Sequence, residues 1–186
     1  MSKTLAAAAA ALSLTAFAAG AARAQPAPVT SDSAAACIWA GAPAQVRDTL
    51  LQAGPTLDDL AKAVDRVDLS AIKPLEEQCL QGASQVLQSR AGDIFGPKMM
   101  QAWAAYQLAV LYRVSESQLA RAWARAPAET RSAIRTSGDK PDGSSLPLVA
   151  GMLRALGPAV SAEQAQALVG HYAFGRANLD ALDAPG

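Results

Sequence analysis

Apolar and polar positions along the chain fall into short runs with helical spacing. Leu57, Leu60, Ala61 and Val64 recur at i, i+3, i+4 and i+7, which is one face of an α-helix. The run KMMQAWAAYQLAVLYRV, Lys98 to Val114, is apolar on nearly every side and is interrupted only by Gln101 and Gln107. It predicts a central helix packed all round. No stretch alternates apolar with polar residues over β-branched side chains, so no sheet is predicted. The spacing predicts about eight short helices, over 43–53, 57–67, 72–90, 97–113, 116–125, 127–136, 146–156 and 162–179. The fold class is therefore all-α, a compact multi-helix bundle.

The breaks between these runs carry their own chemistry. Gly-Pro occurs at 54–55, 96–97 and 157–158. Glycine suits the left-handed residue just past a helix end, and proline stops the helix while suiting the next start. Thr56, Ser115 and Ser161 each precede a helical run and have Asp59, Gln118 and Gln164 three residues on. That is the pattern of side-chain caps on free backbone amides. Val114 and Leu119 flank Ser115 as a hydrophobic staple would. TSGDKPDGSS (136–145) is turn chemistry, and the loop 137–145 is a candidate sub-boundary before a C-terminal helical hairpin. Val-Ser-x-x-Gln occurs at 114–118 and 160–164; a duplicated hairpin or shared capping chemistry would both produce it.

The N-terminus changes the picture. Lys3 precedes an apolar run from Thr4 to Ala19, followed by Ala22-Arg23-Ala24. This order reads as a secretory signal peptide over residues 1–24. Residues 25–36 are small, polar and proline-containing and are expected to form a flexible leader, with 37–186 a single helical domain. Loss of Lys3 and Arg23 with the signal leaves 14 basic against 16 acidic side chains. Such a chain lacks the basic excess of a non-specific nucleic-acid binder. No later stretch approaches the roughly 20 apolar residues of a membrane span, so no transmembrane anchor is expected. The expected location is periplasmic or secreted.

Export gives the two mature cysteines a meaning. The stretch SAAAC ending at Cys37 resembles a lipidation box, but prolines and a polar stretch separate it from the apolar run. An even pair in an oxidising compartment reads as a disulfide, Cys37 with Cys79.

Candidate chemistry is sparse. Ser70-x-x-Lys73 and Ser137-x-x-Lys140 have the spacing of a lysine-activated serine nucleophile but lack the accompanying Lys-Thr-Gly and Ser-x-Asn motifs. Glu76-Glu77 and Asp58-Asp59 read as negative charge at helix starts. His171, the sole histidine, could serve acid–base chemistry with a carboxylate, or be structural. With no C-x-x-C, G-x-S-x-G or phosphate loop, neither a cofactor nor a metal is expected. Met99, Met100, Trp103 and Tyr106 could line an apolar-ligand site or simply form core. Arg113, Arg121, Arg125, Arg131 and Arg135 lie within one short stretch, opposed only by Glu116 and Glu129. This ridge is either a solvated face or a contact surface for an acidic protein or an anionic envelope component. The expected function is non-catalytic binding in the bacterial envelope. The alternatives are a small envelope hydrolase using a carboxylate or His171, and apolar-ligand binding between helices.

Overall fold

Thr56 and Ser115 cap their helices as the sequence leads one to expect. Each hydroxyl accepts from a backbone amide, of Asp59 and Gln118 respectively, and the Gln118 side chain reaches back to the Ser115 amide. The computed structural model describes residues 27–136 and 146–183; the expected signal segment and the 137–145 loop lie outside them. The described residues form α1 (Ser31–Gly41), α2 (Ala44–Leu51), α3 (Leu57–Val64), α4 (Ile72–Cys79), α5 (Gln85–Ser89), α6 (Phe95–Tyr112), α7 (Glu116–Ala124), α8 (Ala128–Thr136), α9 (Leu146–Leu156) and α10 (Glu163–Leu182). Single 3-10 turns, Ala91–Asp93 and Gly157–Val160, precede α6 and α10. No strand occurs among the described residues.

The two long helices, α6 and α10, are antiparallel and form the axis. At one end the Tyr112 hydroxyl donates to Gln164 Oε1 at 3.0 Å. At the other, Gly175 lies directly against the backbone of Pro97 and Gln101. Trp103 and Leu108 of α6 and Leu168, Tyr172 and Leu179 of α10 are wholly buried, and the shorter helices cover them with Ile38, Leu50, Leu119, Ile134 and Met152. A Cβ on Gly175 would stand 2.5 Å from the Pro97 carbonyl oxygen. The helices would have to separate, so Gly175→Ala should cost about 2 kcal/mol despite alanine's better helix propensity. A urea unfolding midpoint equal to or above that of the native chain would contradict this.

Tertiary packing alters several sequence expectations. Residues 31–36, expected in a flexible leader, are the first half of α1. Thr30 caps it, and Ser31, Ala34, Ala35 and Ile38 are buried. Alanines buried among serines carry too weak an apolar signal to announce an amphipathic helix. The single helix expected over 72–90 is two, because Gly82 turns the chain with φ of +82° and Ser84 caps a new start. Ser161 does not cap α10: the 3-10 turn moves the cap position to Ala162, and Gln164 bonds Tyr112 instead. The helix α6 is not packed all round, since Val110 and Leu111 are 59% and 48% exposed. Its two glutamines are buried and serve carbonyls or polar partners. Gln107 Nε2 donates to Leu51 O, at the last residue of α2, and to Ala53 O just past it. Trp103 Nε1 likewise donates to Gly54 O.

The expected disulfide is formed. Cys37 of α1 and Cys79 of α4 are bonded with their Cα atoms 5.8 Å apart. No helix among the described residues is long and apolar enough to cross a membrane.

Candidate functional site

The start of α1 meets the end of α10, and charge is concentrated at that junction. Asp183 accepts from the Ser31 amide and hydroxyl, both at 2.8 Å. Its carboxylate thus serves the amide end of α1, where negative charge is favourable. Two turns inward along α10, Arg176 pairs with both Asp32 of α1 and Asp180 of α10. Trp123 of α7 donates from Nε1 to Asp180 Oδ2 at 3.0 Å. These groups, with Tyr172 and Arg131, line a hollow of about 530 Å³.

Burial weakens the Arg176 cation, but the hydrogen bond to Asp32 and the charges of Asp180 and Asp32 outweigh it and hold its pKa above the ordinary value. Arg176 is therefore a fixed positive charge, paired on one side with Asp32 and on the other with Asp180. Arg131 is different. Its guanidinium lies 6.0 Å from the Trp123 ring centroid, a cation–π approach, and no ion pair among the described residues includes it. The Nε atoms of Arg131 and Arg176 are buried and have no hydrogen-bond partner among the described residues. Arg131 also borders a neighbouring hollow of about 370 Å³ between α8 and α10, together with Arg135, Ser132 and alanines 128, 177 and 181.

A third hollow, of about 310 Å³, lies among α1, α2, α6 and the start of α7, with Trp39, Tyr106, Lys98 and Glu116 on its walls. Gln101, only 4% exposed, links it to the first. Lys98 Nζ donates to Gln101 Oε1 at 3.3 Å, and the Tyr172 hydroxyl also bonds Gln101. Burial lowers the Lys98 pKa, aided by Arg176 and opposed by Glu116 and Asp32. Burial raises that of Tyr172, against the Gln101 hydrogen bond and Arg176.

The residues singled out from sequence are distributed over the molecule. Arg113 is the left-handed residue that ends α6, at the opposite end of α7 from Arg125. Arg121, Arg125 and Arg135 are exposed, whereas Arg131 turns in against Trp123. Arg125 borders a hollow of about 280 Å³ with Arg154, which sequence reasoning passed over. His171 is 5% exposed, packed 5.6 Å from the Trp103 ring, with Nδ1 unpartnered among the described residues. Burial pushes its pKa down to about 4, so the ring is neutral at pH 7.

Glu76 and Glu77 do not open a helix; they stand in the second half of α4. Glu76 is buried, and that burial, then the charge of Asp93, raises its pKa. Asp58 and Asp59 do occupy the first turn of α3. The Ser70 amide donates to Asp68 at 2.8 Å in a local turn, and Ser137 with Lys140 lies outside the described residues. Met99 and Met100 line a hollow with Phe174, Tyr106 lines another, and Trp103 is buried between helices, so the four do not form one site.

Sequence reasoning missed Asp32, Lys98, Gln101, Tyr172, Arg176, Asp180 and Asp183. The only local traces were the i,i+4 spacing of Arg176 with Asp180 and a glutamine inside an apolar run. No protein-family model, curated protein or solved structure matches this chain.

Proposed function

We propose that the protein is a non-catalytic binding protein of the bacterial envelope, periplasmic or secreted after loss of a signal peptide. In this reading it receives an anionic group of its partner, an acidic protein or an anionic envelope component, at the α8–α10 face. The observation that carries the reading is Arg131. Its Nε is buried without a hydrogen-bond partner among the described residues, while the side chain borders hollows of about 530 and 370 Å³. A buried donor left unbonded costs about 1–3 kcal/mol, and a carboxylate or phosphate oxygen placed there would recover it with a charge-assisted bond. Arg135 shares the smaller hollow and supplies a second guanidinium. Asp180, which lines both hollows, is already held by Arg176 and Trp123 and competes little for Arg131.

The same occupancy speaks against the hydrolase alternative. Asp32 and Asp180 are held by Arg176 and Asp183 by Ser31, while His171 sits apart from them against Trp103. A general acid or base needs a proton that a substrate can reach.

The test is recovery of co-purifying envelope material by immobilised protein, identified by mass spectrometry. Charge reversal at both Arg131 and Arg135 should reduce recovery about tenfold or more and steepen with salt in the native chain. Unchanged recovery by a folded double variant would overturn the assignment.

A further inference from the structure

The 310 Å³ hollow has a different chemistry from the arginine-lined face. Its walls carry one cation, Lys98, and one anion, Glu116, yet no ion pair within 4.0 Å joins them or involves either among the described residues. Lys98 is half-buried and spends one of its three donors on Gln101 Oε1. Gln101 is itself buried, so this bond ties the head of Lys98 to the protein interior. Ala102 and Ala105 also line it, as a floor with little side-chain bulk. Trp39 stands on one wall, its ring tilted at 33° against Phe95 with centroids 6.0 Å apart, and Tyr106 stands on another.

We propose that this hollow is a ligand site for a compact zwitterion with an aromatic or branched apolar body, a free α-amino acid in chemical class. Its carboxylate bonds Lys98, its ammonium faces Glu116, and its side chain lies over the alanine floor against Trp39 and Tyr106. An apolar molecule alone would strip water from both charges without replacing it, which is costly. A simple anion would meet Glu116 and a simple cation would meet Lys98. The zwitterion satisfies both walls at once and separates two charges that the protein leaves unpaired. The volume sits at the lower end of small-molecule sites, roughly 300–1,000 Å³, which suits one residue rather than a longer peptide. Trp39, fixed by Phe95, would lose little freedom on binding.

The proposal is independent of the arginine-lined face, and titrations of the purified protein separate the two. The probes are L-phenylalanine, 3-phenylpropionate, which lacks the ammonium, and 2-phenylethylamine, which lacks the carboxylate. Calorimetry should show saturable phenylalanine binding, with each analogue weaker by about tenfold or more. Lys98→Met should weaken phenylalanine binding by a similar factor. Glu116→Gln should bring phenylalanine and phenylpropionate to about the same affinity, since the ammonium then has no partner. Charge reversal at Arg131 and Arg135 should leave phenylalanine binding unchanged. Absence of saturation by phenylalanine, tighter binding of phenylpropionate, or full binding by Lys98→Met would overturn the proposal. Should Lys98→Met fail to fold, the Trp39 indole NH resonance of the native protein decides. A shift on adding phenylalanine supports the site, and its constancy overturns it.

Discussion

Replacement of both Cys37 and Cys79 by alanine is expected to lower the unfolding free energy by about 3 kcal/mol while leaving the helical circular dichroism intact. The bridge spans a sequence separation of 42 residues. In the chain-entropy picture a loop of that size restricts the unfolded chain by about 4 kcal/mol, and residual structure in the unfolded state reduces the effect. The folded α1 has other anchors: Ile38, Ala34 and Ala35 are buried, Ser31 bonds Asp183, and Asp32 pairs with Arg176. The loss therefore lies mainly in the unfolded state, and native spectra should persist. Urea unfolding with and without a thiol reductant measures it. The reduced native chain should match the double variant; a loss below about 1 kcal/mol would mean that these contacts already confine α1 when the chain unfolds.

A second large effect concerns acid. The His171 pKa is depressed to about 4 from 6.5 because the ring is buried against Trp103. The unfolded chain takes up a proton below pH 6.5, whereas the folded chain does not until pH falls to about 4. Stability attributable to His171 is thus complete above pH 6.5 and is lost across that window, by about 3 kcal/mol in total. Glu76 opposes this trend, since burial and Asp93 raise its pKa and its protonation favours the folded chain. Asp59 and Asp68, with pKa values held below 3.8 by hydrogen bonds from Thr56 and Ser70, lose their support only at lower pH. A His171→Leu variant isolates the imidazole. It should unfold close to the native midpoint at pH 7 and be more stable than the native chain by about 2 kcal/mol at pH 4.5. Parallel stability–pH curves for the two proteins would exclude His171 as the cause.

The all-helical class, most helix starts and the disulfide were legible because each depends on neighbours in the chain or on a pair of unique residues, whereas ten helices stand where about eight were expected. Thr56 and Ser115 reach amides only three residues away. Two cysteines have one way to pair within a chain. The expectations that failed did so where a distant contact decides. Ser161 has the same cap spacing as Ser115, but Gln164 is taken by Tyr112, 52 residues earlier. The alanines of α1 read as leader because small side chains give little apolar signal, and only packing tells a buried alanine from a solvated one.

Local chemistry, then, specified an all-helical chain closed by one bridge: capping, spacing and cysteine number act over a few residues or through a single pairing. The sequence offered Arg131 and Arg135 only as two of five arginines in a ridge, and the rest of the candidate sites came from the tertiary structure. Asp32 and Arg176 are 144 residues apart, and the Lys98–Gln101–Tyr172 line crosses from α6 to α10. Whether an arginine is solvated or turned inward depends on what stands beyond it. For Arg131 that is the Trp123 ring and two hollows, which no spacing along the chain encodes.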